Sequence, residues 1–556
     1  MSRKSWIFET LCKSPTDLDT IVEQYELTKF RTEYTSVGVK YTYRCALYKK
    51  FPSCAMQLQA KQLSMTDVDT FEISKFGKHD HEKRALTTRA PSPIRDDVKT
   101  YVAAGLSETQ IRRAVTIDHP QWAAQKQVRS LVGYYRTKDH PSSFSLSDLR
   151  DWCIERSQTP AHTPTESDTP FVPYFKLNDI TEMFVFITTR RLLSTASLSV
   201  YLQVDGTYKL NWNNFPVLVC GTSDAQRHFH PFGIALVHSD ESTACYVDLF
   251  KALKWSIPLV TNEAYYIHFL MADGSKAITK AQQQEFPCIR RLMCWAHVIR
   301  RCRAHKKMVP DDKWPQIESD ICSIQLCCND FIFDEASKLL LKKWQSDTSL
   351  DTFRMYFQSE WIDALPYWYE GSALRYPMTN NGLESLNGKI KKHYTLRSKL
   401  PLAGFLSTGC QMISDWSLKL HNCVFSLEPI VSKDLELFAS KWSTSISKSM
   451  IPLPWNVYEQ VVPTIHAQLG VQQWIDMYQH CQFNTFDNYR RWYESAHIVS
   501  VQQMYCTCRY FCKEYICKHL VGLKILYGIH KLPNDRLPLG KKPRGRPKKT
   551  SLALLF

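Results

Sequence analysis

Between Leu198 and Tyr394 the apolar positions change period several times, and each change predicts an element. "LSVYLQVDGTYKL" (Leu198–Leu210) alternates apolar and polar residues, the pattern of a strand. "FPVLVCGTS" and "HFHPFGIALVHS" predict two further strands, so the three form a meander. "STACYVDLFKALKW" then has the 3.6-residue period of an amphipathic helix. "AYYIHFLMADGS" predicts a strand, "KAITKAQQQEF" a helix, and "CIRRLMCWAHV" a strand running into a helix. From Ile299 to Trp368 the pattern is helical, and "TNNGLESLNGKIKKHY" starts a further helix. The order βββαβαβ, a helical insert, then α predicts a mixed sheet with helices packed on it.

Upstream, "KYTYRCALYKKFPSCAMQLQA" (Lys40–Ala60) alternates and is rich in Tyr, which predicts a β-hairpin. "IRDDVKTYVAAGLSETQIRRAV" carries two helical stripes, Val98/Val102/Ala103 and Ile111/Ala114/Val115, separated by Gly105. Ser107 and Gln110 have the spacing of a capping box for the second helix. With Arg112 and Arg113 expected at the surface, this is either a helix-turn-helix that contacts DNA or an ordinary helical hairpin. "SQTPAHTPTESDTP" (157–170), with its Pro, Ser and Thr, predicts a linker.

Composition adds a partner class. A chain of 556 residues is too long for one core and predicts roughly three or four domains. Its 70 Lys+Arg against 54 Asp+Glu give a net charge of +16, which favours an acidic partner, most simply nucleic acid. "MSRKSWIFETLCKSPTDL" lacks the apolar core of a secretory signal, and no long apolar run predicts a membrane span. A reducing compartment is therefore expected. The 19 Cys then divide into clustered metal ligands and scattered core residues rather than disulfides.

Three acids stand out by position. Asp205 follows the apolar run of the first strand, Asp273 ends the fourth, and Glu384 lies in the first turn of the helix after the insert. Carboxylates so placed can hold the two divalent cations, roughly 3.5–4 Å apart, that stabilise attacking and leaving oxygens in phosphoryl transfer. Individually each has a plainer reading: a turn residue in "DGT", a helix cap in "DGSKAI", a solvated helix acid.

The blocks "YLQVDGTYKL", "MADGSKAI", "CWAHVIRR" and "TNNGLESLNGKIKK" resemble those of Mutator-like element (MULE) transposases over about residues 195–420. The resemblance implies a ribonuclease H-like DDE core, a mixed sheet with helices interrupted by an all-helical insertion. It implies Asp205, Asp273 and Glu384 as catalytic ligands of two Mg²⁺ or Mn²⁺ ions, and cut-and-paste DNA transposition as the activity. It places Cys294 and His297 at the family's Cys/Asp-x-x-His motif. These two are expected to hold the strand–helix junction, because two ligands alone do not close a zinc site.

Two Cys/His sets predict structural zinc. Cys506-x-Cys508 and Cys517-x-His519 supply four ligands in two pairs and resemble the SWIM zinc finger; Cys512 is left over. Cys45 and Cys54 with His79 and His81 resemble WRKY- and FLYWCH-type fingers, with Arg44, Lys49 and Lys50 as candidates for contacts to the DNA backbone. The His pair has the alternative of being ordinary surface residues. "KKPRGRPKK" (541–549) resembles an AT-hook, in which Arg544-Gly545-Arg546 follows a narrow A·T minor groove; its alternative is a nuclear-import signal. Either points to the nucleus.

The expected organisation is a multidomain α+β chain with small zinc-binding domains flanking the core. It comprises a zinc- and DNA-binding domain at 1–90, a helical region for DNA binding or dimerisation at 91–156, and the linker at 157–170. The core follows at 171–298, its helical insertion at 299–370, and the last part of the core at 371–420. A helical connector at 421–485, the SWIM finger at 486–530 and the basic tail at 531–556 complete it. The expected partners are double-stranded DNA, as terminal inverted repeats and as target, and a second copy of the chain in a homodimer or larger assembly. The alternative is a domesticated regulator that keeps the fingers for transcription and uses no catalysis.

Overall fold

The structure, a computed structural model, describes residues 5–36, 38–63, 69–82, 90–104, 106, 108–120, 125–138, 144–238, 241–446, 451–454, 456–480 and 483–531. The chain divides into two compact units, Met1–Tyr135 and Arg136–Phe556.

The first unit opens with β1 (Ile7–Cys12), α1 (Pro15–Gln24), β2 (Leu27–Thr35), β3 (Gly38–Cys45), β4 (Gln57–Gln62) and β5 (Phe71–Phe76). The strands form an antiparallel sheet in the order β1-β5-β4-β3-β2, and β3–β4 is the expected hairpin inside it. The extra strands matter, because an isolated hairpin is marginal in water. Ser14 accepts from the amide of Asp17 and starts α1, whose Leu18 joins Tyr43, Leu58, Ala60 and Ile73 in one core. Three helices follow: α2 (Ser92–Ala103), α3 (Glu108–Asp118) and α4 (Gln125–Lys138). Ile94, Val98, Ile111, Val115, Val128 and Val132 share their core, so the expected pair of helices is closed by a third. Ala103, expected in the stripe, is exposed, and Ile94 one turn before Val98 points inward instead. Gly105 and Ser107, and with them the expected capping box, lie outside the described residues.

The second unit is built on a seven-stranded mixed sheet. After α5 (Leu146–Glu155) come β6 (Phe171–Lys176), β7 (Phe184–Thr188) and α6 (Arg190–Ser194). The predicted series follows as β8 (Tyr201–Thr207), β9 (Val217–Ser223), β10 (Phe229–Val237), α7 (Thr243–Thr261), β11 (Phe269–Ala272), α8 (Lys276–Glu285), β12 (Arg290–Met293) and α9 (Trp295–Ala304). The sheet order is β12-β11-β8-β9-β10-β7-β6, with β11 parallel to β8 and β12 and the remaining pairs antiparallel. The expected meander is therefore extended by β7 and β6. Pro173 sits in β6 at the sheet's edge, where a missing N–H costs no ladder bond.

Side chains alternate between the two faces. Phe184, Phe186, Leu218, Cys220, Ala235 and Val237 face α7, while Val185, Ile187, Val217, Val219, Ile234 and Leu236 share a core with the helices on the other face. Those helices include α13 (Asn381–Lys389) and α14 (Leu402–Lys419). Between β12 and α13 lies the helical insertion, with α10 (Trp314–Gln325), α11 (Asp330–Gln345) and α12 (Asp351–Phe357).

Two stretches differ from expectation. Within 157–170, Asp168 is only 7% exposed and bonds Arg191, Ser417 and His421, so the end of that segment is packed against α6 and the C-terminal end of α14. Residues 421–485 are not purely helical. After α15 (Lys433–Ile446) come β13 (Ile451–Leu453) and β14 (Asn456–Pro463), then α16 (Val471–His480) and α17 (Phe486–Ser495). Next are β15 (Ala496–Ser500) and β16 (Tyr505–Cys506), which continue the sheet β13-β14-β15-β16, and finally α18 (Arg509–Glu514) and α19 (Lys518–Leu526). This C-terminal module shares one apolar core with the insertion, in which Ile321, Ile324 and Trp344 join Trp474, Tyr489 and Trp492. No described helix is long and apolar enough to cross a membrane.

Candidate active site and metal centres

The period-2 alternation of β8 decides where Asp205 points. Leu202 and Val204 face the α7 layer, whereas Gln203 and Asp205 face α13. Two asparagines clamp α13 onto that face. Asn380 is buried; it donates to Val204 O at 3.1 Å and accepts from Gln203 Nε2 at 3.0 Å. Asn387 Nδ2 donates to Asp205 Oδ2 at 3.0 Å. Glu384 lies one turn before Asn387 on the same helix face, so the clamp carries it towards Asp205.

Asp273 follows the last residue of β11, the strand beside β8, and its Oδ1 accepts from the amide of Ser275 at 3.0 Å. Behind it, buried Arg291 donates to the carbonyl oxygens of Asp273, Ala272 and Leu292. Burial pushes the Asp205 carboxyl up to about 7, and the charges of Asp273, Glu241 and Glu384 push the same way. Asp205, Asp273, Glu384 and Glu241 thus share one neighbourhood, in which the charges of the other three act on Asp205, but the ligand atoms of the three predicted acids do not form a set within 4.8 Å of one another.

Cys294 and His297 belong to this neighbourhood. Cys294 caps the start of α9, and its Sγ accepts from the amide of Asn380 at 3.2 Å, which ties the β12–α9 junction to the start of α13. His297 Nε2 is 3.7 Å from Glu384 Oε1, and ligand atoms of Cys294, His297 and Glu384 lie within 4.8 Å of one another. Trp295 stacks on Trp368 with centroids 5.5 Å apart.

The donor set fits divalent cations that prefer oxygen. The carboxylates meet few cations: among the described residues only His297 and Arg300 come within 4.0 Å of Glu384, and no basic side chain comes that close to Asp205 or Asp273. Glu384 Oε1 is shielded from solvent without a hydrogen-bond donor. Like charges gathered this way are costly unless a cation joins them.

The two Cys/His sets close in space as well. The ligand atoms of Cys45, Cys54, His79 and His81 lie within 4.8 Å of one another, and so do those of Cys506, Cys508, Cys517 and His519. His79 Nε2 donates to the carbonyl of Tyr25 at 2.8 Å, which leaves Nδ1 as the electron-pair donor, 3.6 Å from Cys54 Sγ. His81 Nε2 is 3.3 Å from Cys45 Sγ, and its ring stacks on Phe51. In the C-terminal set, Cys508 and Cys517 are helix N-caps whose sulfurs accept from the amides of Phe511 and Leu520. Hydrogen bonds from Cys506 and Cys517 hold the Cys508 thiol far below its ordinary value. Both sets can bind zinc in a tetrahedral shell. Cys512 stands outside the set and lines a small cavity with Cys327, Cys328 and Glu370. Leu520 and Leu523 of α19 face inward, as expected.

Of the candidate DNA contacts, Lys49, Lys50 and Arg113 are exposed. Arg44 is half-buried, its guanidinium 3.3 Å over Tyr48 and 4.3 Å over Phe30. Arg112 is ion-paired with Glu108. Arg544, Gly545 and Arg546 lie outside the described residues.

Gln203, Asn380, Asn387, Arg291 and Glu241 were not singled out from sequence. Asn380 and Asn387 had a signal, since both stand in the block "TNNGLESLN" at helical spacing from Glu384. Glu241 had none, because only the folded α7 brings it to β8.

A model of the MULE transposase domain matches residues 201–301, the stretch from β8 into α9. It contains Asp205, Asp273, Cys294 and His297 and ends before Glu384. That domain suggests a transposase of the Mutator-like kind, with DNA as its partner. No curated protein matches the chain.

Proposed function

We propose that this chain is the transposase of a Mutator-like element, cutting DNA at terminal inverted repeats and joining the freed ends to target DNA. The observation that supports the reading most is that Asp205 on β8, Asp273 at the end of β11 and Glu384 on α13 lie in one neighbourhood, where the last two act on the charge of the first. The strand order, with a helical insertion between β12 and α13, suits a ribonuclease H-like DDE core.

Asp205, Asp273 and Glu384 would hold two Mg²⁺ or Mn²⁺ ions, which supply positive charge to the attacking and leaving oxygens of an in-line displacement. Asn387 donates to Oδ2 of Asp205 and the amide of Gly206 to Oδ1 at 2.9 Å, so both oxygens are oriented while each keeps a lone pair that a metal could take. Arg300, 63% exposed and 4.0 Å from Glu384, is placed to meet a phosphate beside the site. Positioning and fixed charge, rather than covalent chemistry by the protein, supply the rate. The zinc modules hold structure and do no chemistry. The N-terminal one, with Lys49 and Lys50, would position DNA at the element's ends. The protein would act in the nucleus, as a dimer or larger assembly, because two ends must be held together.

An excision assay tests the reading. A reporter interrupted by the element's flanking repeats should be restored by the native chain and not by Asp205→Asn, Asp273→Asn or Glu384→Gln. Binding to the repeats without excision by any of these proteins would favour a non-catalytic regulator.

A further inference from the structure

Asp205 and Gly206 are neighbours on β8, so their side-chain positions face opposite layers. Asp205 faces α13. A Cβ on Gly206 would face the α7 layer and lie 1.5 Å from Glu241 Oε1. The Glu241 carboxylate therefore occupies the space that a side chain at position 206 would take. Gly206 is paired with Leu218 inside the strand, so this glycine provides room rather than a turn.

Glu241 stands just before α7, and its own helix holds it in place: Tyr246 Oη donates to Oε2 at 2.8 Å. That partner is neutral. Among the described residues no Lys, Arg or His nitrogen lies within 4.0 Å of this carboxylate. A half-buried acid held beside Gly206 by the Tyr246 hydroxyl, with no cation of the protein's own, is oriented but not neutralised.

We propose that Glu241 is a fourth carboxylate ligand of the divalent-metal site, reaching the ions from the α7 layer while Asp205 and Glu384 reach them from the α13 side. Four ligands from two layers enclose the ions more fully than three and fix their spacing with fewer waters. The inference rests on the metal-dependent reading of the site given above.

The test is a Mn²⁺ titration of the zinc-loaded, full-length protein with duplex DNA bound, followed by the paramagnetic resonance signal of free Mn²⁺. The native chain should take up two ions. Glu241→Gln should keep the fold and weaken one of them by about tenfold or more, as loss of a group supporting a metal site does. Titration of Glu241→Gln like the native chain would overturn the proposal. Should that variant fail to fold by circular dichroism, Gly206→Ala decides, since its methyl group displaces the carboxylate and leaves the charge intact. Asp205→Asn separates the two levels. If it loses the ions while Glu241→Gln does not, only the role of Glu241 falls; if it also titrates like the native chain, the metal site itself falls.

Discussion

Asn387 Nδ2 bonds Asp205 Oδ2 at 3.0 Å, joining a helix that follows the insertion to a strand 182 residues earlier. This contact ties α13, which carries Glu384 one turn away, to the strand that carries Asp205. Asn387→Ala should lose about 1–2 kcal/mol of stability. Under the proposed metal-dependent reading, cleavage should fall about 10–100-fold, the usual cost of removing a group that orients a metal ligand. Single-turnover cleavage beside denaturant unfolding separates the two effects.

Asp168 has a pH signature. Burial raises its carboxyl, but hydrogen bonds from Arg191, Ser417 and His421 outweigh this and hold it at about 2. A depressed carboxylate adds stability above its unfolded value near 4, and that stability is lost as pH falls towards 2. Asp168→Asn should therefore cost about 2 kcal/mol near neutral pH. The gap from the native chain should narrow steadily below pH about 4. Urea unfolding at a series of pH values checks it, and a gap independent of pH would contradict it.

As zinc sites, the two Cys/His sets should fail separately. Cys517→Ser should leave one zinc per chain instead of two. Because the C-terminal module shares its core with the insertion, the loss should also disturb the packing around Trp344, Trp474 and Trp492, visible in tryptophan fluorescence. Cys45→Ser should likewise remove one zinc yet leave that fluorescence unchanged. Metal analysis beside emission spectra reads both.

Much of the site was legible in sequence because it lies where periodicity is strong. The alternation in "YLQVDGTYKL" places Asp205 on one face of a strand, and the ligand pairs Cys506/Cys508 and Cys517/His519 are close along the chain. What escaped depends on distant partners. Asp168 looks like linker until Ser417, 249 residues later, supplies its hydrogen bond. β13 is only three residues long and gains its identity from pairing with β14, which pairs in turn with β15. Glu241 looks like a surface acid until α7 folds back on Gly206.

The basic tail gives a prediction from sequence alone. Deleting residues 541–549 should weaken binding to A·T-rich duplexes. It should also make the dependence of affinity on salt shallower, because fewer phosphates are neutralised. Equal binding with an equal salt slope would leave the segment only a role in nuclear import.

The most direct measurement is anomalous diffraction from crystals of the protein grown with DNA and Mn²⁺. The account predicts two manganese peaks roughly 3.5–4 Å apart, both in contact with the carboxylates of Asp205, Asp273 and Glu384. Ordered DNA with no manganese at those three carboxylates would contradict it.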